Sequence, residues 1–519
     1  MAKVKERVYS VLDIVAMLFY MAIGIFLNNK VFYNFDEVMW GRIGQDLLRD
    51  FSNINRETIS WAYEAGVADI WVNHEFLTTM IMGLCNYVAP WLFGLLCCIV
   101  IFLLQTVEYT RARKYNFGGH ITKIALICFV FGFLMSMTGY ARPVGMNIII
   151  MIMFIRNLHS CIYLNNKKFG LIIESILLVL WACTHGGSYP ISLVIIGCLA
   201  FEEIINAEEK GFVNRIKSSI SLRACIVYVI TTGALLLFKI TRNSILYNFI
   251  QHANTEIISE WKSIFELGKD DIGSLIFMLC IIIASIVVLI FCTYKGVKSI
   301  KKNIGLYILL TGTLVMGIIH MRYLQYYGII GFSLIARYSG ELKKEKEILR
   351  VFADATLIFC SILMFSSGLA KTSEQYYNIY DIFDNLRETK TIDYNEEYLG
   401  KLAECKGYKL INTNSTLNDF LLENNIKLYF DGRVDNFHED ACKNIHALIN
   451  LDTEADKMVT ELAKVIGTGA DFINIRRPYN LNEDDFLKVA RKGLGGKIEI
   501  VAKTEETGYK YIEYLIKLE

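Results

Sequence analysis

The sequence predicts a polytopic α-helical membrane protein that ends in an α/β domain, and three observations carry that reading. The 519-residue chain is 54% hydrophobic and 20% charged, with a mean hydropathy of +0.37. Apolar runs of membrane length recur from residue 8 to residue 370, and hydropathy falls sharply after Ala370. The formal net charge of +1 hides charge segregated along the chain and carries no signature of nucleic-acid binding. Most of the 13 cysteines, Cys97, Cys183 and Cys280 among them, sit in apolar runs as small hydrophobes, without the spacing of a zinc or redox site.

The first apolar run follows Met1-Ala-Lys-Val-Lys-Glu-Arg7 and resembles a signal peptide, but no small-residue cleavage site follows Phe26, so it reads as an uncleaved first span. Spans are expected at 8–28, 91–109, 121–139, 145–163, 169–184, 188–205, 223–239, 273–293, 304–319, 324–338 and 351–370, about eleven in all. The weakest of them are 169–184 and 324–338, which are short. The stretch 76–89 is short for a crossing and reads as re-entrant or interfacial. With that choice Arg111/Arg113/Lys114, Lys167/Lys168, Lys210/Arg215/Lys217, Lys295/Lys298/Lys301/Lys302 and Lys343/Lys344/Lys346/Arg350 all share the side of Lys3/Lys5/Arg7. Basic loops stay in the cytoplasm, so the N-terminus is expected inside and the C-terminus outside a cell membrane. The domains are then a transmembrane part, 1–370, with a large first outer loop, 29–90, and an extracytoplasmic part, 371–519. In the latter, strand-like runs at 409–413, 426–430, 471–475, 498–501 and 511–515 alternate with helical patterns at 395–406, 416–424, 454–466 and 483–493. No Gly-x-Gly-x-x-Gly or Walker motif follows any of these strands, which argues against a nucleotide fold.

Most of the polar residues that invite a chemical role fall on the expected outer side. Asp36-Glu37 lies just past the first span among Phe32, Tyr33, Phe35 and Val38, where a carboxylate can be poised as a base. His74-Glu75 precedes the 76–89 stretch and can serve an acceptor or a divalent metal; alternatively it is a helix start, with Asn73 as N-cap. Arg142-Pro143 ends the third span with a permanent cation and a helix breaker, able to meet a lipid phosphate. His185-Gly-Gly187 either brings an imidazole and backbone amides to a phosphate or makes a tight turn. Glu260-Trp261 and Arg322 add an acid and another cation. Trp40, Trp61 and Trp71 fit an interface belt. Asp431-Gly-Arg433 can bind a glycan or close a strand-ending turn. Together these residues describe a site for an anionic lipid headgroup with carboxylates beside it.

Phe35-Asp-Glu-Val-Met-Trp-Gly41 resembles the first-loop Asp-Glu motif of protein O-mannosyltransferases and related GT-C class glycosyltransferases. The ordered series of Asp36, Gly44, Ser60-Trp61, Trp71-Val-Asn-His-Glu-Phe-Leu77, Ala141-Arg-Pro143, Trp181, His185-Gly-Gly187, Ile258-Ser-Glu-Trp261, Arg322 and Phe430-Asp-Gly-Arg433 is similar to a group of bacterial multi-spanning GT-C-like proteins. The resemblance implies transfer of a sugar, with inversion, from a polyprenyl-phosphate donor to a glycan, lipid or protein acceptor outside the cytoplasm. It implies Asp36 as base and Glu37 as second acid, and it leaves sugar and acceptor unspecified. For the other outer residues only physical roles follow: Arg142, Arg322 and His185 toward the donor phosphate, and His74, Glu75, Glu260 and Trp261 toward the acceptor or the local structure. A divalent metal stays open, and no nucleotide is expected. The other readings are a transporter or flippase of a lipid-linked glycan and a non-catalytic envelope assembly protein. The spans are nearly free of ionisable residues, which argues against proton-coupled transport.

Overall fold

The computed structural model describes residues 35–113, 142–247, 262–293, 301–338 and 395–518, interrupted at 431–436, 450–454, 479–491, 493–497 and 506–510 and at a few shorter places. The expected spans 8–28, 121–139 and 351–370, and nearly all of the expected helix 483–493, lie outside the described residues. In chain order the principal helices begin with α1 (Phe35–Arg49), α2 (Phe76–Asn86), α3 (Leu92–Arg113), α4 (Val144–Tyr163), α5 (Lys167–His185) and α6 (Pro190–Asn206). They continue with α7 (Ile220–Leu237), α8 (Lys239–Ile245), α9 (Ile272–Thr293), α10 (Ile304–Ile319) and α11 (Leu324–Tyr338). The C-terminal elements are α12 (Glu396–Ala403), β1 (Leu410–Asn412), α13 (Asn418–Glu423), α14 (Glu439–Ile449), α15 (Ala455–Ile466), β2 (Phe472–Pro478), β3 (Ile498–Glu505) and β4 (Tyr511–Leu518). Contacts divide the described residues into a helical unit, α3 to α11, and a mixed unit built from 35–89 and 395–518.

In the helical unit every described span expectation coincides with a helix. Three stretches are long and apolar enough to cross a membrane by length and composition: Val144–Ile162, Phe169–Ser188 and Ile220–Leu237. The described residues therefore support a helical membrane protein with three self-sufficient crossings, a coarser result than eleven. At 17, 16 and 15 residues, α6, α10 and α11 are each short of that length. The expected weak span at 169–184 is instead long and apolar enough to cross, because α5 starts at Lys167 and the chain stays helical into Ser188. In the Ile220–Leu237 window the mean hydropathy is 1.9 yet only 28% is buried inside the protein, so α7 turns Ile226, Val229, Ile230 and Leu237 outward. An apolar face of that size suits lipid rather than water.

Helix direction alternates, and polar side chains tie the two ends of the bundle. At one end Glu202 of α6 is fully buried and accepts from the backbone N–H of Gly305 (3.1 Å) and Leu306 (3.4 Å), the start of α10. Its neighbour Glu203 accepts from the N–H of Ile220 and Ser221 (both 2.8 Å) and from the hydroxyls of Ser219 (2.9 Å) and Ser221 (2.6 Å), the start of α7. Two adjacent carboxylates thus fill the orphan donors of two helix N-termini, where the helix dipole favours negative charge. Asn206 donates to the carbonyls of Lys301 (3.1 Å) and Lys302 (3.3 Å) at the same end. Leu158, Cys161, Leu171, Leu199, Ile220 and Ala224 share one crevice there, which adds the end of α4 and the start of α5.

In the mixed unit the sheet order is β1-β2-β4-β3, with β1 and β2 parallel and the other pairs antiparallel. One face, with Ile411, Ile473, Ile475, Ile512, Tyr514 and Ile516, packs on α14 and α15. The other carries a buried polar network in which Asn474 donates to Asn412 Oδ1 (2.8 Å) and Glu513 Oε2 (3.2 Å), and the Tyr398 hydroxyl and the Asn414 amide complete it. The first loop belongs to this unit. Trp61 is 1% exposed; its backbone N–H meets Leu428 O at 2.9 Å, its indole N–H meets Leu410 O at 3.1 Å, and its ring lies 4.7 Å from Tyr429. Burial there pushes the Tyr429 phenol up to about 12. Trp61 is therefore a core residue of the mixed unit, not part of an interface belt. The expected strand 426–430 is reduced to a single bridge, Ser60 with Leu428, because the short loop segment offers no longer edge. The sequence reading missed α14, although Ala441, Cys442, Ile445 and Leu448 form its buried stripe at helical spacing.

Helices α1 and α2 cross at Gly44 and Gly83. A Cβ on Gly44 would collide with the Thr79 carbonyl oxygen, and one on Gly83 with the Gly44 backbone. Gly44→Ala is expected to destabilise the protein by about 1–3 kcal/mol through overpacking. Gly400→Ala, in open space within α12, is expected to stabilise it by about 0.5–1 kcal/mol. Thermal unfolding of the full chain in detergent checks both, and equal shifts would discount the crossing.

Candidate functional site

The end of the helical unit away from Glu202 and Glu203 gathers the sequence-predicted phosphate ligands. Its centre is a chain of buried hydrogen bonds. The indole of Trp181, fully buried on α5, donates to Ser188 Oγ at 2.8 Å. The Ser188 hydroxyl proton is shared between Asn147 Oδ1 (2.8 Å) and the His185 carbonyl (2.9 Å). Asn147 Nδ2 in turn donates to the Tyr326 hydroxyl at 3.1 Å. The links join the end of α5 to the starts of α4, α6 and α11. Phe154 stacks edge-on against Trp181 at 5.5 Å and closes the apolar side.

Each predicted cation sits at one of these helix ends. Arg142 is half-buried and precedes α4; the N–H of Gly145 bonds to its carbonyl at 2.9 Å, and Met146 N–H bonds to Pro143 O at 3.2 Å. Pro143 stands just ahead of α4, where its fixed φ and missing N–H cost little; the expected third span before it lies outside the described residues. His185 is the last residue of α5 and 5% exposed. Arg322 lies in the short 3-10 turn Met321–Tyr323 between α10 and α11, close enough to Tyr326 for its charge to act on that hydroxyl. His320, which the sequence reading did not single out, stands in the same turn region, 6.2 Å from the Tyr323 ring.

Gly186 of the His185-Gly-Gly187 motif has a packing role. A Cβ on Gly186 would collide with the side chain and backbone of Ser244, whose hydroxyl donates to Ala182 O at 2.6 Å. Glycine here admits α8 against the end of α5.

The carboxylates of the first loop belong to the mixed unit. Asp36 and Glu37 lie on α1. His74 and Glu75 are 8% and 5% exposed, with His74 Nε2 and Glu75 Oε1 at 3.3 Å. Asn73 does not cap α2. Its Oδ1 accepts from Glu75 N–H at 3.1 Å, and Glu75 occupies the N-cap position without a side-chain cap bond. The Glu75 carboxylate thus pairs with His74 instead of serving the helix, and the two can share a proton or provide two ligands to a divalent cation. Arg42 donates to Asn425 Oδ1 at 2.7 Å, a structural tie between α1 and the turn after α13. Glu260, Trp261 and Asp431-Gly-Arg433 lie outside the described residues.

No protein-family model matches this chain, and no curated protein matches it.

Ser188→Ala removes the acceptor of Trp181 and the donor to Asn147 together. It is expected to cost about 1–3 kcal/mol, since buried partners are left unsatisfied, and to shift Trp fluorescence. Ser333→Ala, which loses only a bond within α11 to Ile329 O (2.9 Å), is expected to change little. Equal melting shifts for the two variants would count against the network.

Proposed function

We propose that the chain is a membrane glycosyltransferase that moves a sugar from a polyprenyl-phosphate donor to a glycan, lipid or protein acceptor outside the cytoplasm, with inversion. In this reading the shorter helices also cross, giving about eleven spans in a GT-C-like architecture with the N-terminus inside and the C-terminal part outside.

The observation that supports it best is chemical sorting along the helical unit. Arg142, His185 and Arg322 stand at the end tied by Asn147 and Ser188. Arg215, which donates to Ile204 O at 3.4 Å, and Lys301 and Lys302 stand at the other. Basic loops mark the cytoplasmic side, so the first set faces outward. Departure of a polyprenyl phosphate needs its developing charge neutralised, which Arg142 and Arg322 supply, with His185 as phosphate ligand or proton donor. Attack by the acceptor hydroxyl needs a base, the role of Asp36 with Glu37 as second acid. His74 and Glu75 act at the acceptor or hold a divalent cation. A lipid-linked donor arrives through the bilayer, so no nucleotide site is required.

Asp36→Asn, expressed at the wild-type level, is expected to lower sugar transfer from polyprenyl phosphate by roughly 10²–10⁴-fold. Transfer of radiolabelled sugar into membrane acceptors measures it. Undiminished transfer would remove Asp36 as base and favour the assembly-protein reading.

A further inference from the structure

Glu174 sets itself apart from the other buried acid among the described residues of the helical unit, Glu202. It lies on α5, seven residues in from Lys167, about 10 Å along the helix axis. It is fully buried, and neither carboxyl oxygen has a hydrogen-bond partner. Glu202 is just as buried, yet two backbone donors satisfy it, and Glu203 receives four hydrogen bonds. Burial alone is therefore not the distinction; the missing donors are. An ionised carboxylate in an apolar interior with neither donor nor counter-ion is prohibitive in solvation energy, whereas the neutral acid is tolerable.

We propose that Glu174 is a proton-binding site inside the helix bundle, its carboxyl carrying a proton. Among the described residues, the groups that face it are neutral. Cys161 of α4, Cys225 of α7 and Tyr189 at the start of α6 all fall within its electrostatic reach. Helix α8 touches α5 at Ala182, about 12 Å further along the axis, and its Lys239 and Arg242 are exposed. Among the described residues no lysine, arginine or histidine pairs with Glu174.

Hydroxyls line the seam beside it. Ser175 and Thr231 are 3.0 Å apart, the Tyr189 hydroxyl is 2.7 Å from Thr232 Oγ1, and Tyr228 stacks on Tyr189 at 5.6 Å. A protonatable acid within the hydrocarbon is the kind of group that couples proton binding to helix movement. The inference is independent of sugar transfer, and it qualifies the expectation that the spans hold too few ionisable groups for proton coupling.

The test is reaction with a membrane-soluble carbodiimide. A protonated carboxyl adds across its C=N bond to give an O-acylisourea, which rearranges to a stable N-acylurea with no leaving group. At neutral pH in detergent, the peptide containing Glu174 is expected to gain the whole reagent mass, and the adduct is expected to vanish in Glu174→Gln. A water-soluble carbodiimide is expected to leave that peptide unmodified. Glu174→Gln, neutral and nearly isosteric, is expected to melt at or above the wild-type temperature. Absence of the adduct from wild type, equal labelling by the water-soluble reagent, or a clear fall in melting temperature in Glu174→Gln would each overturn the proposal, the last by revealing a lost ion pair.

Discussion

The helical unit is organised around one electrostatic arrangement: Glu202 and Glu203, consecutive on α6, each placed against the N-terminus of a different helix. A helix start leaves several N–H groups unsatisfied and carries a partial positive charge, and in an apolar surround neither can be left to water. Hydrogen bonds to a charged acceptor are worth about 1.5–3 kcal/mol each, so the pair holds α7 and α10 to α6 more firmly than dispersion alone. Once those three ends are fixed, the alternation of the chain delivers the starts of α4, α6 and α11 and the end of α5 to the opposite end. The bond chain from Trp181 through Ser188 and Asn147 to Tyr326 forms there. The candidate phosphate ligands inherit their common location from an interaction at the far end of the bundle.

The mixed unit has a different organising contact. Trp61 fills the space between the sheet and the segment around Leu428, and its indole N–H closes a backbone acceptor on β1. The α1–α2 pair is joined to the same unit by Arg42 and Asn425 and by the close crossing at Gly44. Asp36-Glu37 and His74-Glu75 are thus carried by helices with their own packing, which gives these acids a defined framework instead of a solvated loop.

Helix positions were readable because an apolar run of 15 to 22 residues has few other uses, and the strands of the C-terminal sheet because their alternation is plain. Several features were not readable. Asn147 and Ser188 look like incidental polar residues in apolar helices until the fold brings them within 2.8 Å. Trp61 carries the composition of an interface residue, and only its long-range partners, more than 340 positions away, make it core. Glu174 was passed over because a single acid in a long apolar run does not disclose whether the neighbouring helices bring it a donor.

The most direct test of the central claim, that the Arg142, His185 and Arg322 end holds a lipid phosphate, is native mass spectrometry of the detergent-solubilised protein with added polyprenyl phosphate. The account predicts a bound lipid on wild type that is largely lost from the folded Arg142→Ala/Arg322→Ala double variant and kept by a variant with Lys301 and Lys302 both changed to Ala. Equal retention by all three proteins would contradict it.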